Sequence, residues 1–168
     1  MGKNQKMRRA SIKHAVLILL GLFLAGFLFL RYFGPAGTPA VVLAFRNSSG
    51  NQTAPLKLEL AVSDAARAKG LMYRKSLSPY DGMFFAFPER KVQKFWMKDT
   101  FLSLDLLFLD NDLRVVGILR SLPILNNEVR SVEKPSRYVV ELAAGSAERL
   151  GITEGSQALI HSGFSPAN

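Results

Sequence analysis

The chain predicts a mainly β fold: a single β-sandwich, jelly-roll-like or barrel-like domain with one or two short helices, preceded by one amino-terminal transmembrane helix. Three observations carry this expectation. Short apolar runs of strand period recur between Leu56 and Ser162, separated by turn residues. Helix signals are confined to two brief stretches in that region. Ahead of it, Ala15 to Leu30 forms sixteen consecutive uncharged residues behind a head carrying Lys3, Lys6, Arg8, Arg9 and Lys13 and no acid.

A helix over Ala15 to Leu30 is about 24 Å long at ~1.5 Å per residue, and it reaches the ~30 Å of a hydrocarbon core if Lys13 and Arg31 snorkel outward. Tyr32 and Phe33 are suited to the headgroup level. A cleaved secretory signal is the alternative, with Gly34-Pro35-Ala36 or Thr38-Pro39-Ala40 as cleavage sequence. Retention is favoured because the apolar run is long for a signal and Arg31 follows it at once. In either case the basic head stays cytoplasmic and the remainder is exported.

The expected organisation is a basic head (1–14), an anchor (15–33), a linker (34–55), the β domain (56–162) and a tail (163–168). Linker composition is rich in Pro, Gly, Ser, Asn and Thr around one apolar run, Val41 to Phe45. Asn47-Ser48-Ser49 and Asn51-Gln52-Thr53 match the glycosylation acceptor pattern and are read as polar linker. Leu56, Leu58, Leu60 and Val62 then alternate as a half-buried strand. Ser63 caps a short helix with Asp64 in its first turn and Gly70 at its end. Asp81-Gly82 turns the chain into a strand from Met83 to Phe87, which Pro88 is expected to close.

Further strands are read at Val92 to Thr100, Leu104 to Asp110 and Leu113 to Leu119, the last two joined by Asp110-Asn111-Asp112. Arg120 to Ser136 reads as a long loop. Arg137 to Leu142 returns to strand, Ser146 to Leu150 makes one helical turn, and Gln157 to Ser162 is the last strand. The tail beyond is expected to be disordered.

Charge excludes the function that composition first suggests. A net +9 and a pI near 10.1 point to nucleic acid. Residues 1–31, however, hold six of the 22 basic residues and none of the 13 acids, leaving sixteen against thirteen, or +3, for the rest. That is an ordinary mixed surface, and no nucleic-acid partner is expected. The absence of cysteine removes disulfides, thiolate metal sites and cysteine nucleophiles.

Gly70-Leu71-Met72-Tyr73-Arg74, Gly82-Met83-Phe84-Phe85-Ala86-Phe87, Phe95-Trp96-Met97-Lys98-Asp99-Thr100 and Leu104-Asp105 with Phe108 follow one another in an order and spacing that resembles the domain of unknown function 192 family. Tyr138 to Gly145 and Gly151-Ile152 with Gly155 resemble its carboxy-terminal pattern, so the likeness covers roughly residues 56 to 162. It implies a small, mainly β domain of sandwich or jelly-roll type, often exported behind a signal or anchor in prokaryotes, and it implies no reaction. Asp99 stands where the family usually has Asn, Ser103 where it has Pro, and Ser156 where an acid commonly follows the glycine.

Six residues are candidates for ligand binding: Arg74, Trp96, Lys98, Thr100, Asp105 and Glu141. In an extended Phe95 to Thr100, Trp96, Lys98 and Thr100 share one face, a row of aromatic, cation and hydroxyl suited to a polar or anionic ligand. Asp105 shares its strand face with Leu107 and Leu109 and so needs a partner, for which Arg74, Lys98 and Arg137 are available. Glu141 shares a face with Val139 and Arg137. With Asp99 and Asp105 it suggests a carboxylate group for glycosidic hydrolysis.

His14 and His161 lie far from these motifs, so histidine triads and zinc sites have no support. Met72, Met83 and Met97 raise a cuprous site, but their apolar neighbours make core packing the stronger reading. No cofactor and no metal are expected. The functional expectation is a membrane-anchored, extracytoplasmic ligand-binding or assembly module of the cell envelope, bound to the cytoplasmic membrane through its helix and to an envelope polysaccharide or protein. Alternatives are a carbohydrate-active hydrolase using acidic residues and a purely structural envelope protein. The balance leans away from an enzyme.

Overall fold

The computed structural model describes residues 39–166. The predicted anchor over Ala15 to Leu30 lies outside the described residues, and within them no helix is long and apolar enough to cross a membrane. Among the described residues, nine strands and two short helices follow one another: β1 (Ala40–Arg46), β2 (Leu56–Ala61), α1 (Asp64–Lys69), β3 (Gly82–Val92), β4 (Phe95–Met97), β5 (Leu104–Leu109), β6 (Val115–Leu122), β7 (Asn126–Arg130), β8 (Pro135–Ala143), α2 (Ser146–Arg149) and β9 (Gln157–Ser162).

Seven strands form one sheet in the order β6-β5-β8-β3-β2-β1-β9, antiparallel except where β2 runs parallel to β3. A parallel pair needs a crossover, and α1 with the loop after it supplies this one. The sheet curls into a half-barrel until its two outer strands touch. There, Arg114 bridges to Gln157, the Val115 amide donates to the Ser156 carbonyl at 2.9 Å, and the Ala158 amide donates to the Leu113 carbonyl at 2.9 Å. β4 and β7 make a separate two-stranded sheet.

Period-two alternation gives the main sheet two buried faces. The enclosed face gathers Leu43, Phe45, Leu58, Phe84, Leu107, Tyr138, Val140 and Leu142, with Ala147 of α2 packed in. The outer face gathers Met83, Phe85, Leu106, Phe108 and Val139, covered by Leu71, Met97 and Leu122. Both faces being apolar, β5 is buried at all six positions. The central register is tight: Gly82 pairs with Leu142, and a side chain on Gly82 would stand 2.0 Å from the Glu141 carbonyl oxygen. Only glycine admits β8 this close to β3.

Several expectations need correction. The presumed linker contains β1, because Val41 to Phe45 supplies buried side chains to the enclosed core and pairs with both β2 and β9. Residues 47–53 form the loop of that hairpin, where Asn47 Oδ1 accepts from the Ser49 and Asn51 amides. Pro88 does not close β3. It sits where pairing to β8 is interrupted between Ala86 and Lys91, so its missing amide leaves no ladder bond unmade. Val92 to Thr100 is broken, since β3 ends at Val92 and β4 at Met97. The expected loop from Arg120 to Ser136 contains the end of β6 and all of β7.

The predicted tail also has a packed residue. The Phe164 ring lies tilted against Phe84 at 5.2 Å and edge-on to Tyr138 at 5.8 Å, packed against the enclosed core. Phe164→Ala should therefore lower stability by about 1–3 kcal/mol in denaturant unfolding. An unchanged unfolding midpoint would show that the ring contributes nothing there.

Candidate functional site

A cavity of about 200 Å3 opens on the outer face, between the end of α1, β3 and the segment leading into β4. Its walls are aromatic. Phe95 stands edge-on to Phe85 at 5.3 Å and to Phe87 at 6.2 Å, and Trp96, 46% exposed, lies beside them at the mouth. Lys69 and Lys94 line the cavity as exposed cations without an ion pair among the described residues. Arg67, also in the wall, is committed elsewhere: its guanidinium donates to the Val62 and Ala86 carbonyls and to Asp64, and lies over the Phe87 ring.

Glu141 lines the cavity from β8. It pairs with Met83 on one side and Leu106 on the other, so its carboxyl rises from the centre of the apolar outer face. Gly70, at φ 49° beyond the helix end, carries the chain above it; a side chain there would stand 3.9 Å from Glu141 Oε2 and 3.4 Å from the Phe85 ring. Oε2 is buried and has no hydrogen-bond partner. Desolvation without a compensating charge pushes the carboxyl up to about 8, so at neutral pH Glu141 is a neutral acid able to donate a hydrogen bond.

Thr100 is buried in the wall. Its hydroxyl proton is given to the Lys98 carbonyl at 3.0 Å, leaving the oxygen's lone pairs as acceptors. The residue does not arrive there by strand alternation. β4 stops at Met97, Asp99 adopts a left-handed φ of 50°, and this turn swings Thr100 inward and leaves Lys98 exposed. The expected single row of Trp96, Lys98 and Thr100 is thus bent: Trp96 and Thr100 line the cavity, while Lys98 lies over the Trp96 ring, its Nζ 5.4 Å from the centroid.

The other two candidates lie elsewhere. Arg74 forms an ion pair with Glu59 at 2.6 Å. Asp105, fully buried, points to the enclosed face, where it accepts the Ser121 amide at 2.8 Å and the Ala147 amide at 2.9 Å. Backbone amides fill the place expected of Arg74, Lys98 or Arg137 and tie α2 and β6 to β5. Because Asp105 pairs with Leu142 and Glu141 with Leu106, the two carboxyls emerge on opposite faces of the sheet. Asp99 accepts the Tyr73 hydroxyl at 2.9 Å, an interaction that raises the Tyr73 pKa. No carboxylate pair is assembled, and among the described residues no group of three His, Asp or Glu side chains is placed to hold a metal.

Met83 and Met97 are buried in the outer core, with Met72 in the cavity wall. Lys69, Gly70, Phe87, Lys94 and Phe95 also line the cavity and are not among the six candidates read from the sequence. They lie on separate segments; Gly70, Phe87 and Phe95 fall within the family motifs, while Lys69 and Lys94 carry no signal beyond their charge. Each of the family-atypical residues has a local role. Ser103 donates to the Leu122 carbonyl at 2.7 Å, and Ser156 Oγ accepts the Thr153 amide at 3.0 Å.

Burial of Glu141 has a pH signature. Its folded pKa lies above the ordinary value of 4.5, so between about 4.5 and 8 the folded chain holds a proton that the unfolded chain has lost. The Glu141 contribution to stability therefore falls as pH rises through that window and is most unfavourable above pH 8. Glu141→Gln should match the parent below about pH 5 and exceed it by on the order of a few kcal/mol above about pH 9, read from denaturant unfolding. Parallel pH profiles would mean that the carboxyl is solvated.

Similar solved structures include the following two. A proposed transcription regulator from Sinorhizobium meliloti 1021 is 33% identical, with a TM-score of 0.71 over 76% of this chain and 98% of that one. A protein of unknown function from Novosphingobium aromaticivorans DSM 12444 is 31% identical, with a TM-score of 0.68 over 75% of this chain and 89% of that one. No curated protein is a significant match. The sequence model of domain of unknown function 192, described as an uncharacterized ACR, matches residues 45–160. The chain belongs to the domain of unknown function 192 family.

Proposed function

We propose that the chain is a ligand-binding module, tethered to the cytoplasmic membrane by Ala15 to Leu30 with its β domain on the extracytoplasmic side, and that the cavity floored by Glu141 takes one group of an envelope saccharide or peptidoglycan-like ligand. The observation that carries this reading is an unpartnered, buried carboxyl inside an aromatic-walled cavity rimmed by lysines. An orphaned buried polar group is costly unless something satisfies it, and a ligand carbonyl or hydroxyl does so. Trp96 offers a face for stacking a sugar ring, and Lys69 and Lys94 attract an anionic substituent. At about 200 Å3 the cavity is smaller than the ~300–1,000 Å3 of drug-sized sites, which suits one ring of a larger ligand held at the surface.

A hydrolase reading is weaker. Two carboxyls must flank a glycosidic bond, and here Glu141 faces the cavity alone while Asp105 is spent on backbone amides across the sheet. The regulatory role proposed for the Sinorhizobium relative is not carried over, since the basic excess that would meet nucleic acid is concentrated in residues 1–31.

Trp96 is the only tryptophan, so its emission reports the site directly. Titration with anionic muropeptides and envelope polysaccharide fragments should give saturable changes. Lys94→Ala should weaken binding by about tenfold, the value of one partly desolvated charge-assisted contact. Glu141→Leu should abolish it, whereas Glu141→Gln, still a donor, should retain it and remove any loss of affinity above about pH 8. Product formation abolished in Glu141→Gln would make the protein an enzyme. Absence of any emission change with all of these ligands would sink the binding reading.

The tether is tested separately. A reporter active only outside the cytoplasm, fused after Asn168, should be active, and the full chain should resist extraction at alkaline pH. A shortened, extractable product would indicate cleavage, and reporter activity in the cytoplasm would reverse the orientation.

A further inference from the structure

Seven large hydrophobic side chains are more than two-fifths exposed among the described residues. Six of them, Tyr73, Trp96, Phe101, Ile124, Leu125 and Val129, belong to β4, β7 and the turns bonded to them. The turns are continuous with one another: the Tyr73 amide donates to the Asp99 carbonyl at 2.8 Å, and the Leu125 amide to the Thr100 carbonyl at 3.0 Å. Tyr73 and Leu125 hold left-handed φ values of 65° and 54°. Bulky residues rarely adopt that conformation, and here the strain holds apolar side chains out in solvent, where folding gains nothing from them.

The charges between them are mostly positive. Lys94 and Lys98 are exposed, with Lys98 over the Trp96 ring. The neighbouring acids are partnered, Asp99 by the Tyr73 hydroxyl and Glu128 by Arg130. The chain joins the sheet at the end from which α1 leaves β2, where the Pro39 carbonyl accepts the Leu60 amide at 2.7 Å. Nine residues separate the uncharged run ending at Leu30 from Ala40. At ~3.3–3.6 Å each they span at most roughly 30 Å, about the diameter of a small domain.

We propose that this face docks on the surface of a bilayer containing anionic phospholipid, with Trp96, Phe101, Ile124 and Leu125 entering the headgroup region and Lys94 and Lys98 pairing with its phosphates. The proposal rests on the membrane tether inferred above. Aromatic rings with a polar edge and lysines with apolar stems are the side chains that settle at this interface. Surface attraction then contributes about fivefold in affinity per lysine, and it is screened by salt. Docking holds the mouth of the cavity, which Trp96 shares, at headgroup level.

The solved Sinorhizobium structure matches this chain over 98% of its own length and only 76% of this one, so the β domain folds by itself. Residues 38–168 can therefore be tested without the tether. The domain should co-sediment with vesicles containing phosphatidylglycerol, should bind vesicles of phosphatidylcholine alone far more weakly, and should show a blue shift of Trp96 emission on binding. Ile124→Ser with Leu125→Asn should weaken sedimentation on the order of tenfold, asparagine being chosen because it accepts the left-handed turn. Lys98→Glu should weaken it by fivefold or more. Neither Ile124 nor Leu125 lines the cavity, so muropeptide titration of that double variant should be unchanged; this separates failure of the docking surface from failure of the binding site. A folded domain that ignores anionic vesicles, or binds them equally in the variants, overturns the proposal. So does concentration-dependent dimerisation that the double variant removes, which would make a second copy the occupant.

Discussion

A sheet that curls until its outer strands touch still has two apolar faces, and both must be removed from water. The enclosed face is covered by the curl itself, since side chains from opposite ends of the sheet meet inside it. The outer face has no such partner. It is roofed piecemeal, by a six-residue helix, a two-stranded ribbon and the loops between them. A roof assembled from short elements leaves a gap, and the gap falls over β8 at Glu141. Site and fold are therefore consequences of one requirement.

β8 shows how this works at the level of single residues. Tyr138, Val140 and Leu142 enter the enclosed core while Val139 and Glu141 face outward. Replacing Glu141 by an apolar residue would complete the outer core and stabilise it. A carboxyl there instead loses its hydration, gains no counter-charge and stays protonated near neutrality. Asp105, one strand away and on the other face, shows the contrasting solution: buried more completely, it accepts two backbone amides. The first leaves a buried oxygen without a partner inside a cavity, and the second is a structural brace.

Clustering of exposed apolar residues on the roof follows from the same construction. β7 pairs only with β4, and among the described residues Trp96 and Val129 of this ribbon stay exposed. Its turns hold Tyr73, Asp99 and Leu125 in left-handed conformations, and the same turns that bring Thr100 into the cavity present Leu125 and Phe101 to the exterior. Cavity and apolar surface are thus two sides of one ribbon.

Period-two alternation and turn chemistry were enough to place β2, β5, β8, β9 and both helices and to sort Asp105 from Leu106 and Glu141 from Val140 by face, and apolar neighbours were enough to put Met83 and Met97, though not Met72, in the core. These are properties of neighbouring residues, and local sequence determines them. Alternation could not reveal that β1 belongs to the sheet, because a short apolar run among polar residues has the composition of a linker until β2 and β9 pair with it. Nor could it reveal where β4 stops, since the left-handed turn at Asp99 is imposed by contacts with Tyr73, distant in sequence. Which of the candidate residues meet was decided by tertiary structure alone. Trp96, Thr100 and Glu141 converge with residues of α1 because a parallel crossover lays that helix beside β3, and no spacing along the chain encodes the register of β5 against β8 that puts Asp105 on the opposite face from Glu141.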